Sequence, residues 1–143
     1  QEKMVEEMSD FARRPFQECW EFVEYIKHSL SDIPKTVSLI ERLSVEGYNL
    51  YCLSNMSIEF YDYLKVRDVF TYFNGQIISA LEKLVEPEIY MRLVERYHIK
   101  PEETLFIDDL SKNTEAAEKL GFHTVLFADR ERGYEQIEKL LGI

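Results

Sequence analysis

The chain has 143 residues, 45% of them apolar, which is enough for one domain with a real core, alone or with a small appendage. Lys and Arg number 17 against 27 Asp and Glu, and no local basic stripe offsets the formal charge of −10, so a nucleic-acid partner is not expected. The apolar runs are too short to span a bilayer and no leader opens the sequence, so no membrane association is expected. Cys19 and Cys52 lack metal-ligand or disulfide spacing, so a reducing, cytoplasmic location is expected.

The first 33 residues have helical periodicity and no strand signal. Trp20, Val23 and Ile26 lie along one stripe of a predicted helix. Such an aromatic stripe is typical of packing between helices, and a binding groove or a homodimer contact are the alternatives. Residues 32–34, Asp-Ile-Pro, mark the predicted junction with the rest of the chain.

From residue 34 onward, predicted helices alternate with short apolar strands. The helices are 36–46, 87–98, 112–120 and 133–141, and the strands are "YNLYCLSN", a weaker one near 76–79, "TLFIDD" and "HTVLFAD". Gly47 and Gly121 follow two of these helices, where a left-handed cap is favoured. This alternation predicts an α/β, Rossmann-like fold with a parallel sheet between layers of helices. We therefore expect a helical segment at 1–33 and an α/β core at 34–143.

Three of the predicted strands end in polar side chains. These are Ser54-Asn55, Asp108-Asp109 and Asp129. Because ligands of open parallel sheets bind at the carboxyl ends of the strands, these residues are the first candidates for a functional site.

Asp108 and Asp109 place two like charges side by side at one strand end. One acidic residue, or Ser111, would serve as a cap for the following helix. Two adjacent carboxylates instead favour a cation between them, and Mg²⁺ bound by one or two carboxylates, water and a phosphate fits that pattern. Both interpretations stay open on the residues alone.

Ser54 and Asn55 also have two interpretations. Either residue could start a turn or cap the next helix. Alternatively, the hydroxyl and nearby backbone N–H groups could bind phosphate oxygens at a junction between loop and helix.

Taken together, these segments resemble a known enzyme family. "LYCLSN" and "PEETLFIDDLSKNTEAAEKLGFHTVLF" are similar to the second and fourth motifs of the haloacid dehalogenase-like (HAD) hydrolase superfamily. The segment "FNGQIISALEKLVEPEIYMRLVERY" resembles its third-motif region, and residues 1–33 resemble the tail of its small helical cap. The resemblance covers roughly residues 34 to 128.

The resemblance implies phosphoryl transfer from a small phosphorylated substrate through an aspartyl-phosphate, with Mg²⁺ as electrostatic partner. Ser54 would hydrogen-bond the phosphoryl group, and Asn55 would shape the adjacent loop. Asp108 would bind the metal, and Asp109 would support it directly or through water. Asn113 would bond back to the acidic loop, with a solvent-facing first-turn residue as the alternative.

Two departures from the family pattern limit this assignment. The family's nucleophile lies in an Asp-x-Asp motif after an N-terminal strand, and no aspartate here has another two positions later. The third motif reads Lys83-Leu84-Val85-Glu86-Pro87 where the family usually has Lys-Pro-acid-Pro. Anchoring on Glu86-Pro87 places Leu84 at the lysine position. Equally, a loss of two residues between Val85 and Glu86 would remove the expected Lys-Pro and leave Lys83 as only a neighbour. Lys83 is then either a substitute from a flexible loop or a solvated side chain.

Three hypotheses follow from these residues. The leading one is a HAD-like phosphatase without its first core strand in the sequence as given. The second is a non-catalytic Mg²⁺-binding, phosphate-binding or protein-interaction module on the same fold. A phospho-receiver domain fits poorly, because its acidic pair follows the first strand rather than the penultimate one.

Overall fold

A computed structural model describes residues 1–83 and 87–143 of the chain. The described residues form two compact units, Gln1–Leu81 and Glu82–Ile143. The predicted boundary after residue 33 lies inside the first unit, so the assignment of residues 1–33 to a cap portion stays a prediction.

The first unit combines helices with one pair of strands. Its elements are α1 (Glu2–Ala12), α2 (Phe16–Ser29), α3 (Pro34–Val45), β1 (Tyr51–Ser54), α4 (Ile58–Leu64), a 3-10 turn (Asp68–Tyr72), β2 (Gly75–Ile78) and α5 (Ser79–Glu82), whose last residue belongs to the second unit. Helix α3 begins at Pro34, whose fixed φ suits a first turn and whose missing N–H costs nothing there.

Helices α1 and α2 pack through a small apolar cluster. Val5, Cys19 and Val23 are buried, and Trp20 lies partly buried against them. The predicted packing role of the Trp20 stripe is therefore confirmed, and a dimer contact is not needed to explain it.

The second unit repeats the alternation of helix and strand. Its further elements are α6 (Glu88–Tyr97), a 3-10 turn (Pro101–Glu103), β3 (Leu105–Asp108), α7 (Ser111–Lys119), β4 (His123–Leu126) and α8 (Arg130–Leu141). Tyr90, Ala117, Phe122, Val125 and Ile137 are buried in its core. Helix α7 is followed by Gly121 at φ +92°, the left-handed conformation predicted for it.

Both strand pairs are parallel, as the sequence predicts. In the first unit β1 pairs with β2, from Tyr51 opposite Gly75 to Ser54 opposite Ile78. In the second unit β3 pairs with β4, from Leu105 opposite His123 to Asp108 opposite Leu126. The weaker strand predicted near residues 76–79 is confirmed as β2.

The strands are divided between two sheets rather than joined in one. Within residues 1–83 and 87–143, β1 pairs only with β2 and β3 only with β4. The α/β class with parallel strands and flanking helices is nevertheless the one predicted. Among the described helices, none has a stretch long and apolar enough to cross a bilayer.

Candidate active site

Asp108 is the last residue of β3, and its carboxylate is held in a fixed orientation. The Leu110 N–H donates to Asp108 Oδ1 at 2.8 Å, and Asn113 Nδ2 donates to the same oxygen at 3.0 Å. The Phe127 N–H donates to the Asp108 carbonyl at 2.8 Å, which ties this strand end to the residue after β4. With Oδ1 satisfied twice, Oδ2 is the oxygen that can face a ligand.

The capping interpretation of the acidic pair is wrong for the helix that follows. Helix α7 starts at Ser111 with Leu110 in the N-cap position, and no side chain caps it. Asp108 instead accepts from the Leu110 N–H two residues on, the local bond typical of an Asx turn. Asp109 is exposed and adds a second carboxylate beside the first.

Asn113 lies on the first turn of α7 and is half-buried, so its solvent-facing alternative does not hold. Besides the bond from Nδ2 to Asp108, its carbonyl accepts from the Tyr90 hydroxyl at 3.4 Å. Its side-chain Oδ1 is buried and has no hydrogen-bond partner in the part of the chain that the structure describes. A buried acceptor without a donor is costly, and it marks a place where a further polar group would fit.

The carboxylate oxygens at this strand end are ligands of the kind that suits Mg²⁺. No group of three or more His, Cys, Asp or Glu side chains converges on a metal site in the described ranges. Mg²⁺ does not require one, because it is usually bound by one or two carboxylates and completes its shell with water and substrate phosphate. Asp108 and Asp109 supply hard oxygen ligands of that kind, and Asp108 is oriented in advance by Asn113.

Ser54 ends β1 and Asn55 follows it, both in the first unit. Ser54 is half-buried and Asn55 exposed. The next helix, α4, is capped by Ser57, whose side chain accepts from the Phe60 N–H at 3.5 Å. Neither Ser54 nor Asn55 is therefore the cap of that helix. The interpretation of Ser54 as a phosphate-binding residue stays a prediction.

One residue beside this strand end was missed from the sequence. Ser79 follows β2 directly, and its hydroxyl donates to the Met56 carbonyl at 3.5 Å. This bond connects the end of β2 with the loop after β1. A serine directly after the weak strand was the only sequence signal for it.

Lys83 is exposed and lies in a turn after α5, with its backbone in the left-handed region at φ 54°. Leu84 and Glu86, on which the alternative third-motif alignment depends, lie outside the described residues.

The third polar strand end has a structural explanation, because Asp129 caps α8 by accepting from the Arg132 N–H at 3.1 Å. Of the predicted site residues, the structure thus brings Asp108 and Asn113 into contact.

Cys52 on β1 is a nucleophilic side chain beside Ser54. Burial raises the pKa of the Cys52 thiol from its ordinary value of 9.0 to about 11. The thiol is therefore protonated at neutral pH. Since the thiolate is the reactive form, Cys52 is not a substitute for a missing nucleophile.

The raised pKa of Cys52 predicts a loss of stability at high pH. Above pH 9 the thiol ionises in the unfolded chain while it stays neutral in the folded protein, so ionisation stabilises the unfolded state relative to the folded one. The difference in unfolding free energy between wild type and Cys52→Ala should shrink by about 2 kcal/mol between pH 8 and pH 11. Urea titrations of both proteins at several pH values measure it, and a difference that does not change with pH would contradict the assignment.

Similar proteins include phosphatases and structurally characterised hydrolases. Enolase-phosphatase E1 of Shewanella frigidimarina is 26% identical over 117 residues, which are 77% of this chain and 50% of that enzyme. Acyl-CoA dehydrogenase family member 10 of Mus musculus is 33% identical over 72 residues, which are 49% of this chain and 7% of that protein. The chain thus spans half or less of the length of these two relatives.

Two solved structures share the fold. A predicted HAD-like family hydrolase from Porphyromonas gingivalis matches with a TM-score of 0.79 and 27% identity, over 99% of this chain and 73% of that one. A HAD family enzyme from Bacteroides thetaiotaomicron, in complex with magnesium and inorganic phosphate, matches with a TM-score of 0.61 and 30% identity, over 67% of this chain and 52% of that one. Residues 2–121 of the chain match the family model of the haloacid dehalogenase-like hydrolases, and the chain belongs to that hydrolase family.

Proposed function

We propose that this chain is part of a Mg²⁺-dependent phosphatase that hydrolyses a small phosphorylated metabolite through an aspartyl-phosphate. The observation that carries the proposal is the Asp108 carboxylate, which ends a parallel strand and is oriented by Leu110 N–H and Asn113 Nδ2. The phosphatases among its relatives and the magnesium and phosphate in the Bacteroides enzyme support the same chemistry.

Each candidate residue has a role in this reaction. Asp108, with Asp109 directly or through water, would hold the metal, and Asn113 would keep Asp108 Oδ1 occupied so that Oδ2 faces the ion. Ser54 Oγ would donate a hydrogen bond to the phosphoryl group, while Asn55 shapes the loop beside it. When bound, Mg²⁺ supplies positive charge that neutralises the phosphoryl oxygens as charge redistributes in the transition state.

Lys83 would supply a second positive charge to the phosphoryl oxygens. Its three N–H donors on a flexible stem suit that role. An exposed position is compatible with it, because the side chain needs to reach the phosphate only when substrate is bound.

The attacking carboxylate is not among these residues. No Asp-x-Asp occurs in the sequence, and Cys52 is held protonated by burial. We therefore expect the nucleophile to come from a segment outside these 143 residues. A strand carrying it could pair with β1 or β3, since each pairs with one strand only within the described ranges.

The substrate class follows from composition only in outline. A net charge of −10 disfavours long polyanionic substrates, which leaves small phosphorylated molecules as the proposed substrates. The free thiols of Cys19 and Cys52 support a reducing, cytoplasmic location as part of the proposal. The alternative is a non-catalytic module that binds Mg²⁺ or phosphate through the same acidic loop. The lack of an Asp-x-Asp motif favours this non-catalytic module, because the sequence then holds no family nucleophile.

Hydrolysis of an aryl phosphate distinguishes the two functions. The 143-residue chain and a form extended by the residues encoded upstream of Gln1 would be assayed with and without Mg²⁺. We expect Mg²⁺-dependent turnover from the extended form and little from the short chain. Without the nucleophile, the short chain can still position the substrate and stabilise charge, but it has no carboxylate to attack the phosphoryl group. Robust turnover by the short chain would refute the missing-nucleophile proposal, and no turnover by either form would favour the binding module.

A further inference from the structure

The turn that carries Lys83 has an unfavourable backbone conformation. Among the described residues other than glycine, Arg13, Lys83 and His98 have a positive φ, between 52° and 54°. Arg13 and His98 directly follow the long helices α1 and α6, where a left-handed cap is common. Lys83 also follows a helix directly, but that helix, α5, has only four residues, and a side chain with a Cβ disfavours this conformation unless its surroundings hold it.

The residue before Lys83 is anchored by two arginines of α6. Arg96 Nη1 donates to Glu82 Oε1 at 2.5 Å and Arg96 Nη2 donates to Glu82 Oε2 at 2.8 Å. Arg92 Nε lies 3.6 Å from Glu82 Oε2. We call Glu82, Arg92 and Arg96 the Glu82 clamp. It joins positions 14 residues apart in the sequence, so it fixes Glu82 against α6 within the second unit.

The geometry of the Glu82 clamp matters more than its strength. The Glu82 side chain is only 13% exposed, whereas Arg92 and Arg96 are 43% and 41% exposed. Exposed ion pairs contribute little to stability because water screens them and side-chain entropy opposes them. A bidentate guanidinium–carboxylate pair nevertheless fixes direction, because both N–H groups must meet both oxygens in one plane.

We propose that Glu82 is a positioning residue for Lys83: clamped by Arg96 and Arg92, it holds the left-handed turn that directs the Lys83 ammonium toward the phosphoryl group. The inference rests on the proposed function, since it assigns Lys83 to the phosphate. Three observations carry it, namely the positive φ of Lys83, the bidentate contact of its immediate neighbour, and the low exposure of the Glu82 side chain.

A double-mutant cycle separates positioning from a general structural role. The extended form would be assayed with an aryl phosphate as wild type, Glu82→Gln, Lys83→Met and the double variant. Glu82→Gln should lower kcat by about 10-fold and change KM by less than about twofold, since a misplaced catalytic group affects the transition state more than binding. In the Lys83→Met background, the same Glu82→Gln change should have almost no effect, because the group it positions is gone.

Two further variants serve as controls. Arg96→Lys keeps the charge but not the two parallel bonds, so its kcat should fall between those of wild type and Glu82→Gln. Glu103→Gln removes the pair that Lys100 Nζ makes with Glu103 at 2.8 Å in the same unit, and it should leave kcat unchanged. Thermal unfolding of each variant checks that it is folded.

The outcomes distinguish this inference from the proposed function. Wild-type kcat in Glu82→Gln, or a loss of equal size with and without Lys83, would overturn the positioning role while leaving the phosphatase intact. Wild-type kcat in Lys83→Met would overturn the assignment of Lys83 and the clamp together, but not that of Asp108. An extended form without Mg²⁺-dependent turnover would overturn the proposed function itself, and the positioning role with it.

Discussion

Replacement of Asp108 by Asn is expected to lower kcat/KM of the extended form by more than about 100-fold, because a neutral amide replaces a charged metal ligand. The loss should be largest at low Mg²⁺ and partly recovered at high Mg²⁺, since weaker metal binding is its main cause. The measurement is the rate of aryl phosphate hydrolysis as a function of Mg²⁺ concentration.

Asp129 provides the matched control for this substitution. It also follows a β-strand, but it caps α8 through the Arg132 N–H. Asn is as good a helix cap as Asp, so Asp129→Asn should leave both activity and stability nearly unchanged.

Asn113→Ala should lower kcat/KM by about 10-fold, an intermediate effect, because it removes the donor that orients Asp108 Oδ1. An unchanged rate in Asp108→Asn would refute the metal assignment.

Replacement of Gly133 by Leu is expected to destabilise the protein by about 3 kcal/mol through overpacking. Gly133 is a buried position of α8, and a Cβ built there would lie 2.2 Å from Cδ2 and 2.6 Å from Cε2 of Phe127. The Phe127 ring cannot simply turn aside, because it packs edge-on against Tyr134 with the ring centroids 5.1 Å apart. Urea unfolding of the chain measures the change.

Glu135→Leu is the control for the Gly133 prediction. Glu135 is exposed on the same helix, so the same new side chain meets no neighbour. Because Leu favours helices more than Gly does, helix propensity alone would stabilise Gly133→Leu. A Gly133→Leu protein as stable as wild type would show that the Phe127 ring does not exclude a side chain at residue 133.

The local alternation of helices and strands was predictable because it follows from hydrophobic periodicity. The strands β1 and β3 end in the polar residues Ser54 and Asp108, β4 lies within the predicted run "HTVLFAD", and Gly121 follows α7 as expected. The division into two sheets was not predictable in the same way. Strand pairing depends on which neighbours are available, and no described strand pairs with both β1 and β3.

The candidate site was predictable in its residue types and in one contact, the bond from Asn113 to Asp108. The acidic pair stood out as two adjacent carboxylates at a strand end, and Asn113 stood out through the resemblance to the fourth motif. The direction of Asp108 depends also on the Leu110 N–H, which the sequence analysis did not predict. Glu82 was missed altogether, because its partner Arg96 lies 14 residues away and single charges on a surface are common.

In the proposed reaction, Asp108 serves a phosphoryl transfer whose nucleophile is an aspartate outside these 143 residues. Borohydride reduction of the extended form during turnover would convert a phosphorylated aspartate to homoserine, which peptide mass spectrometry locates. We predict homoserine at one aspartate upstream of Gln1 and none at Asp108 or Asp109. Homoserine at Asp108, or steady turnover with no reduced aspartate anywhere upstream, would contradict the account.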